Sequence, residues 1–158
     1  MLLGMSIAAY DPLLSDDHAA WQAAERMTLR DLLASSDVIS LHVPLTAQTR
    51  HIIDSEVLGL MRKEAVQINA ARGGVVDEAA LAEALKAGKI AGAALDVFEH
   101  EPLDASHGKL FEGVKNLILT PHIAGVTVES NVGVSRKIEE LISNTLKIGR
   151  DEHAAFDQ

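Results

Sequence analysis

The chain has 158 residues, and 14 lysines and arginines against 23 aspartates and glutamates give it a formal net charge of −9. Such an acidic chain is not expected to bind nucleic acid, because neutralising phosphates requires clustered basic side chains. No apolar run approaches the roughly 18 residues that span a bilayer, and a chain without cysteine has no disulfide, thiolate metal ligand or cysteine nucleophile, so we predict a cytoplasmic protein that binds no membrane.

Apolar runs alternate with helical patterns along the chain. Five short runs predict strands, at residues 5–10, 37–43, 65–69, 92–97 and 117–120. Helices are predicted between and after them, at 28–34 with Thr28 as N-cap, at 55–62 opened by Ser55, at 77–87 with Asp77 as N-cap and Gly88 as its end, and at 127–148. Apolar strands alternating with helices are typical of a parallel sheet covered on both faces. We predict an α/β doubly wound parallel sheet in one domain, residues 1–150, followed by a polar tail at 151–158.

Polar side chains follow the predicted strands, and ligands of an open α/β sheet bind outside the carboxyl ends of its strands. These ends carry Asp11, His42 with Pro44, and the segments 69–74, 96–101 and 122–125. Each has a structural alternative. Asp11 before Pro12 suits an Asx turn, His42 suits a half-buried histidine with a local partner, Arg72 suits a surface cation, and 99–101 suits a solvated loop.

One combination of these residues makes chemical sense. His122 ends an otherwise apolar strand and is suited to acid/base work near neutral pH. An arginine after one strand (Arg72), an acid after the next and His122 after the last suit proton transfer to the oxygen of a 2-oxo acid, because an arginine fork binds carboxylates and a carboxylate orients imidazole. The seven histidines show no zinc spacing such as His-Glu-x-x-His. No metal site is therefore predicted.

Three segments carry a resemblance to a known family. INAARGGVVDEAAL (68–81), GAALDVFEHEP (92–102) and TPHIAG (120–125) closely resemble the signatures of the NAD-dependent D-2-hydroxyacid dehydrogenases, which include phosphoglycerate, glyoxylate/hydroxypyruvate and D-lactate dehydrogenases. The resemblance runs from about residue 3 to about residue 146. It implies a Rossmann-like NAD-binding domain and hydride transfer between NAD and a small 2-hydroxy or 2-oxo acid.

The resemblance also implies a role for individual residues. Arg72 is similar to the substrate-binding arginine, Glu101 to the acid that pairs with histidine, and His122 to the general acid/base. Asp96 resembles the aspartate that contacts the nicotinamide, and Asp11 the aspartate that accepts hydrogen bonds from the adenosine ribose. No arginine or lysine directly follows Asp11 to hold a 2′-phosphate, so NAD is favoured over NADP. The implied cofactor-binding residues are Tyr10, Asp11, Pro12, His42, Val43, Pro44, Thr49, Ala70, Ala71, Arg72, Asp96, His122 and Gly125.

The sequence also departs from the family pattern. None of its eleven glycines forms Gly-x-Gly-x-x-Gly, the loop that holds the pyrophosphate. By resemblance 5–10 is the second Rossmann strand and 37–43 the fourth, so the first strand, which lies between them, is missing. The third is short or lost near 23–27. The family's substrate-binding domain, whose sequence lies mostly upstream, is missing too.

These departures leave alternatives open. Three explanations are possible: a fragment of a longer enzyme, a truncated gene product, or a chain whose gap is filled by another chain. We favour a truncated domain that pairs with itself into a homo-oligomer, because the missing strand leaves unpaired sheet edges on both sides of the gap. Hydride transfer needs a closed cleft between two domains that excludes water, and this sequence supplies only one wall of such a cleft. We therefore expect weak or no turnover from this chain alone. The alternative function is a non-catalytic nucleotide-binding or self-associating module.

Overall fold

The computed structural model describes residues 4–153, with side chains described for 4–144. The chain divides into two compact units, Met1–Pro121 and His122–Gln158. The predicted limits of 1–150 for one domain and 151–158 for a tail stay a prediction, and residues 154–158 of that tail lie outside the described residues.

Parallel strands and short helices alternate in the first unit. Its elements are β1 (Ala8–Ala9), β2 (Glu25–Arg26), α1 (Leu29–Ser35), β3 (Val38–Leu41), α2 (Ser55–Leu58), β4 (Val66–Asn69), α3 (Glu78–Lys86), β5 (Gly92–Leu95), α4 (Ala105–Gly108) and β6 (Leu117–Leu119), with 3₁₀ turns at Ala19–Gln22 and Lys109–Phe111. Every strand pairing is parallel. The predicted α/β parallel architecture is confirmed.

The strands form two separate sheets. β1 pairs with β2, while β3, β4, β5 and β6 pair in that order. Within residues 4–153 no ladder joins β1 to β3, the two strands between which the first strand of a complete Rossmann sheet lies. β2 is the strand that was expected to be short or lost near 23–27. The predicted division of the sheet is therefore seen in the structure.

Side-chain caps begin the helices of the first unit. The Thr28 hydroxyl accepts the N–H of Asp31, and the Asp77 carboxylate accepts that of Ala80 at 2.9 Å, as the sequence predicted. The helix expected at 55–62 is shorter and ends at Leu58. Its N-cap is Asp54, whose carboxylate accepts the N–H of Val57. The helix begins at Ser55 as predicted, and Asp54 supplies the capping acceptor.

The core lies on one face of the four-stranded sheet. Ile39 of β3 and Ala93 of β5 face the same way as Gln67 of β4 and share a buried cluster with the helices of this unit, including Leu81 of α3. On the other face, the Ile118 side chain is 65% exposed.

The second unit is built on one long helix, α5 (Val128–His153). It begins near the predicted position, because the Thr127 hydroxyl accepts the N–H of Ser130 at 3.0 Å. It extends past the predicted end at residue 148, and several of its apolar side chains, such as Ile138 and Leu141, are about half exposed. Among the described residues, no helix combines the length and apolarity needed to cross a bilayer.

Candidate functional site

The carboxyl ends of β3, β4, β5 and β6 lie at one edge of the sheet, because all four strands are parallel. The segments that follow β4 and β5 carry the predicted Arg72 and Glu101. This edge is the region where an open α/β sheet binds its ligands. The contacts between these two segments define the candidate site.

A turn closed by Asn69 carries Arg72. Asn69, the last residue of β4, is only 2% exposed. Its amide oxygen accepts the N–H of Ala71 at 3.1 Å, and its amide nitrogen donates to the carbonyl of Arg72 at 3.0 Å. Arg72 itself is exposed, and one guanidinium nitrogen donates to the carbonyl of Ala71 at 2.6 Å. The backbone of the arginine is therefore fixed from the core, while its side chain faces solvent.

Gly73 brings the Arg72 turn against the loop that follows β5. A β-carbon at Gly73 would lie 1.7 Å from the carbonyl oxygen of Phe98 and 2.9 Å from the backbone nitrogen of Glu99. Only glycine permits so close an approach of two backbones. Gly73 therefore joins the two segments of the site.

Two carboxylates hold neighbouring amides of the loop after β5. Glu78, the first residue of α3, accepts the N–H of Glu99 at 2.6 Å. Glu101 accepts the N–H of Phe98 at 2.9 Å. The Glu99 carboxylate lies 2.9 Å from the ring of His51 and 3.5 Å from the guanidinium of Arg50. The loop that contains Glu101 is thus held to α3 and to residues 50–51.

Asp96 sits at the end of β5 and is 6% exposed. Its carboxylate accepts the Thr120 hydroxyl at 2.5 Å, and its backbone N–H donates to the carbonyl of Asn69. A buried carboxylate held by hydrogen bonds has a fixed position and can present its charge to a ligand at this edge. Its predicted contact with the nicotinamide stays a prediction.

Asp11 follows β1, in the two-stranded sheet. Asp11 is half-buried between Tyr10 and Pro12, and one carboxylate oxygen accepts the N–H of Leu13 at 2.9 Å. This is the Asx turn that the sequence allowed as a structural alternative. A carboxylate has two oxygens, so the predicted contact with ribose hydroxyls is compatible with the turn.

The segment after β3 contains four more predicted residues. His42 is exposed rather than half-buried, and its ring lies 2.9 Å from the Ser40 hydroxyl. Val43 is half-buried. The Thr49 hydroxyl donates to the carbonyl of Pro44 at 2.6 Å, which closes the loop. The role of these residues beside adenine stays a prediction.

His122 and Gly125 belong to the second unit. His122 is exposed and has a left-handed φ of 55°, which is uncommon for a residue other than glycine and recurs at functional sites. The carbonyl of Gly125 accepts the Ser130 hydroxyl at 2.8 Å. The pairing of His122 with Glu101 stays a prediction.

Two histidines lie near Glu101 in the chain, His100 directly before it and His107 in α4. The rings of His100 and His107 stack with centroids 4.0 Å apart, and His107 binds the carboxylate of Asp104 at 2.8 Å. Hydrogen bonds, of which the one from the Ser106 side chain has the largest effect, hold the pKa of Asp104 well below its ordinary value. In the part of the chain that the structure describes, no three histidine, aspartate or glutamate side chains are grouped to hold a metal ion.

The residues that support the site, Glu78 and Asn69, were not predicted from the sequence. Glu78 resembled an ordinary acid in the first turn of a helix, and Asn69 resembled the end of a strand. Their partners in the loop after β5 or in the adjacent turn are set by tertiary contacts. The one available signal was the pair of glycines at 73 and 74, which marked an unusual backbone path without indicating its neighbour.

Burial of Glu78 predicts that the stability of the protein depends on pH. Its side chain is 8% exposed, and burial raises its pKa above the ordinary 4.5. Between 4.5 and the raised pKa the folded protein binds more protons than the unfolded chain, so the free energy of unfolding falls as pH rises through this window. Glu78→Gln should lose this fall, and its stability relative to the parent should increase with pH.

Denaturation of the two proteins from below pH 4.5 to neutral pH measures the effect. Glu83→Gln is the matched control, because Glu83 lies on α3 but is exposed, and its curve should run parallel to that of the parent. A difference between Glu78→Gln and the parent that is constant with pH would contradict the expectation.

Comparison with known proteins agrees with the motifs. A family model described as the NAD binding domain of D-isomer specific 2-hydroxyacid dehydrogenase matches residues 2–124. The (S)-sulfolactate dehydrogenase of Chromohalobacter salexigens is 53% identical over 134 residues, which are 84% of this chain and 43% of that protein. The D-3-phosphoglycerate dehydrogenase of Archaeoglobus fulgidus is 45% identical over 145 residues, 92% of this chain and 27% of that protein.

Solved structures of dehydrogenases are also similar to this chain. The D-isomer specific 2-hydroxyacid dehydrogenase of Lactobacillus delbrueckii ssp. bulgaricus, in its NAD-complexed form, superposes with a TM-score of 0.75 at 30% identity, covering 93% of this chain and 47% of that one. The D-lactate dehydrogenase of Aquifex aeolicus with NAD and lactic acid superposes with a TM-score of 0.74 at 34% identity, covering 91% and 47%. This chain therefore spans less than half the length of these relatives.

Proposed function

The chain belongs to the D-isomer specific 2-hydroxyacid dehydrogenase family, within its NAD-binding domain, and we propose that it serves the NAD-dependent interconversion of a D-2-hydroxy acid and its 2-oxo acid. The observation that carries the proposal is the packing of two segments at the ligand-binding edge of the sheet. The turn with Arg72 meets the loop with Glu101 at Gly73, and the hydrogen bond between Glu78 and Glu99 holds the same loop to α3.

The residues present fit the two ends of NAD. Asp11 at the end of β1 would bind the adenosine ribose through the carboxylate oxygen that does not accept from Leu13. Asp96, fixed by Thr120, would lie at the nicotinamide. The sequence contains no Gly-x-Gly-x-x-Gly for the pyrophosphate, so the proposal assigns no residue to it. NAD supplies or accepts the hydride when bound.

Three side chains would act on the substrate. The guanidinium of Arg72 has five N–H donors and uses one nitrogen on its own turn, so it retains donors for the carboxylate of a 2-oxo acid. On the resemblance of their motifs, His122 would hold the proton that goes to the C2 oxygen, and Glu101 would be the acid that pairs with it.

The divided sheet favours a second candidate function. The separation of β1–β2 from β3–β6 supports a non-catalytic module that keeps part of the nucleotide site or associates with a second copy of the chain. Weak turnover, or none, from the 158-residue chain is expected in both cases. Cytoplasmic location and self-association stay predictions.

Binding of NADH separates the dehydrogenase proposal from a module without nucleotide chemistry. We expect saturable binding, followed by nucleotide fluorescence, that Asp11→Ala weakens about 10- to 100-fold, because it removes charge-assisted hydrogen bonds to the ribose. Asp17→Ala is the matched control, since Asp17 is an exposed carboxylate of the same unit. Equal binding by all three proteins would contradict the assignment of Asp11.

Turnover is then measured with the protein and NADH against a panel of small 2-oxo acids, pyruvate and glyoxylate among them. Oxidation of NADH that requires Arg72 would support the enzyme. Absence of nucleotide binding at millimolar NADH would leave the non-catalytic module.

A further inference from the structure

Glu78 is in an unusual place for an acid in the first turn of a helix. Such acids ordinarily lie in solvent and stabilise the helix dipole. The N-terminus of α3 is already capped by Asp77, and the Glu78 side chain is 8% exposed. A carboxylate is costly to bury unless it is hydrogen-bonded. Its partner is the backbone N–H of Glu99, at 2.6 Å, which lies in another segment of the site.

The bond from Glu78 is next to the bond that holds the predicted acid. Phe98 and Glu99 are consecutive, and the N–H of Phe98 donates to the Glu101 carboxylate at 2.9 Å. The same stretch of backbone therefore binds Glu78 through one amide and Glu101 through the next. Any shift of this stretch away from α3 would also move the anchor of Glu101.

Two other carboxylates influence Glu78. The negative charges of Glu99 and Glu101 add to the effect of burial in raising the pKa of Glu78. The Glu99 side chain is drawn instead to His51 and Arg50, at 2.9 and 3.5 Å. Glu99 thus offers only its backbone to Glu78, and its negative charge is balanced by other groups.

We propose that Glu78 is a positioning residue, which holds the backbone at Phe98 and Glu99 so that the Glu101 carboxylate keeps a fixed place relative to the turn that carries Arg72. The inference rests on the proposed function for the roles of Glu101 and Arg72. Glu78 acts through the loop and is not itself in contact with the reacting atoms in this proposal.

Two substitutions at Glu78 and one control separate this role from general stability. Glu78→Met keeps the length and removes the acceptor, whereas Glu78→Gln keeps a carbonyl acceptor for the Glu99 amide. Glu83→Met makes the same chemical change on an exposed position of α3. Backbone amide NMR and hydrogen exchange on the complete 158-residue chain are the measurements.

In Glu78→Met we expect exchange of the Glu99 amide to accelerate at least tenfold and the Phe98 amide to shift, while amides of β4 such as Ile68 keep their protection. Glu78→Gln should restore both amides, and Glu83→Met should leave both unchanged. A Phe98 amide that is unaffected in Glu78→Met would overturn the inference. So would equal acceleration throughout the sheet, which indicates a purely structural role.

A pH titration of the unsubstituted protein decides the case if Glu78→Met does not fold. The backbone amide chemical shifts of Glu99 and Phe98 should both change with pH as Glu78 titrates. The chemical shift of the Glu78 side chain reports that titration directly. A Phe98 amide that follows only Glu101 would overturn the inference.

The rate of enzymatic turnover is a second, independent measurement. With a 2-oxo acid, Glu78→Met should lower kcat about tenfold or more and leave NADH affinity unchanged, and Glu78→Gln should recover most of kcat. If the unsubstituted protein neither binds NADH nor turns over, the proposed function fails for this chain. The amide measurements still decide whether Glu78 positions Glu101.

Discussion

Gly73→Ala is expected to lower the free energy of unfolding by about 3 kcal/mol or more, because the new methyl group has no space. Its carbon would lie 1.7 Å from the carbonyl oxygen of Phe98, 2.2 Å from the carbonyl carbon, and 2.9 Å from the backbone nitrogen of Glu99. All three are backbone atoms, so rotation of a side chain cannot relieve the clash. The turn after β4 must instead move away from the loop after β5.

That movement would separate the two segments of the candidate site. The hydrogen bond from Glu99 to Glu78, at 2.6 Å, tolerates little displacement before it is lost. We therefore expect Gly73→Ala to lower the midpoint of thermal unfolding by about 6–12 °C, at about 2–4 °C per kcal/mol for a chain of this size. The N–H of Glu99 should also lose its protection from hydrogen exchange.

Gly108→Ala is the matched control for this prediction. A β-carbon at Gly108 meets no described atom within 4 Å, and its φ of −61° suits any residue. Alanine there should leave stability unchanged or raise it by about 0.4–1 kcal/mol, since it restricts the unfolded chain. If Gly73→Ala unfolds within a degree or two of Gly108→Ala, the close approach to Phe98 is not a constraint in solution.

The parallel α/β architecture could be predicted because its signals are local. Thr28 and Asp77 cap helices where the sequence placed them, and the apolar runs became strands of one direction. Boundaries were less accurate. The first strand, expected at 5–10, is Ala8–Ala9, because strand length depends on the partner and β2 offers only two residues. At α2, Asp54 and Ser55 were both able to cap, and local sequence does not choose between them.

The candidate site was only partly predictable, because its supports are long-range contacts. The ends of β4 and β5 marked Arg72 and Glu101 as candidates, and their motifs agreed. The sequence alone does not reveal that Glu78 contacts Glu99 or that Gly73 touches Phe98, since each pair is more than twenty residues apart. An acid after an N-cap and a glycine in a turn each have common local explanations.

Gln67 is a polar residue in a strand that was predicted from its apolar pattern, and the sequence did not indicate that its side chain is buried. It lies in β4 between Ile39 of β3 and Ala93 of β5 in the register of the sheet. Its side chain is 0% exposed, and neither amide atom has a hydrogen-bond partner among the described residues. Burying an amide without partners costs free energy that an apolar side chain of similar shape would not.

Gln67→Met is therefore expected to raise the free energy of unfolding by about 1–3 kcal/mol, because methionine keeps the unbranched shape and removes the amide. Chemical denaturation should show a higher midpoint with an unchanged slope. Gln22→Met is the matched control, since Gln22 is exposed, and it should change stability by no more than about 0.5 kcal/mol. A destabilised Gln67→Met protein would mean that the amide is satisfied in solution, as by a buried water, and that the core of this sheet is built around a polar contact.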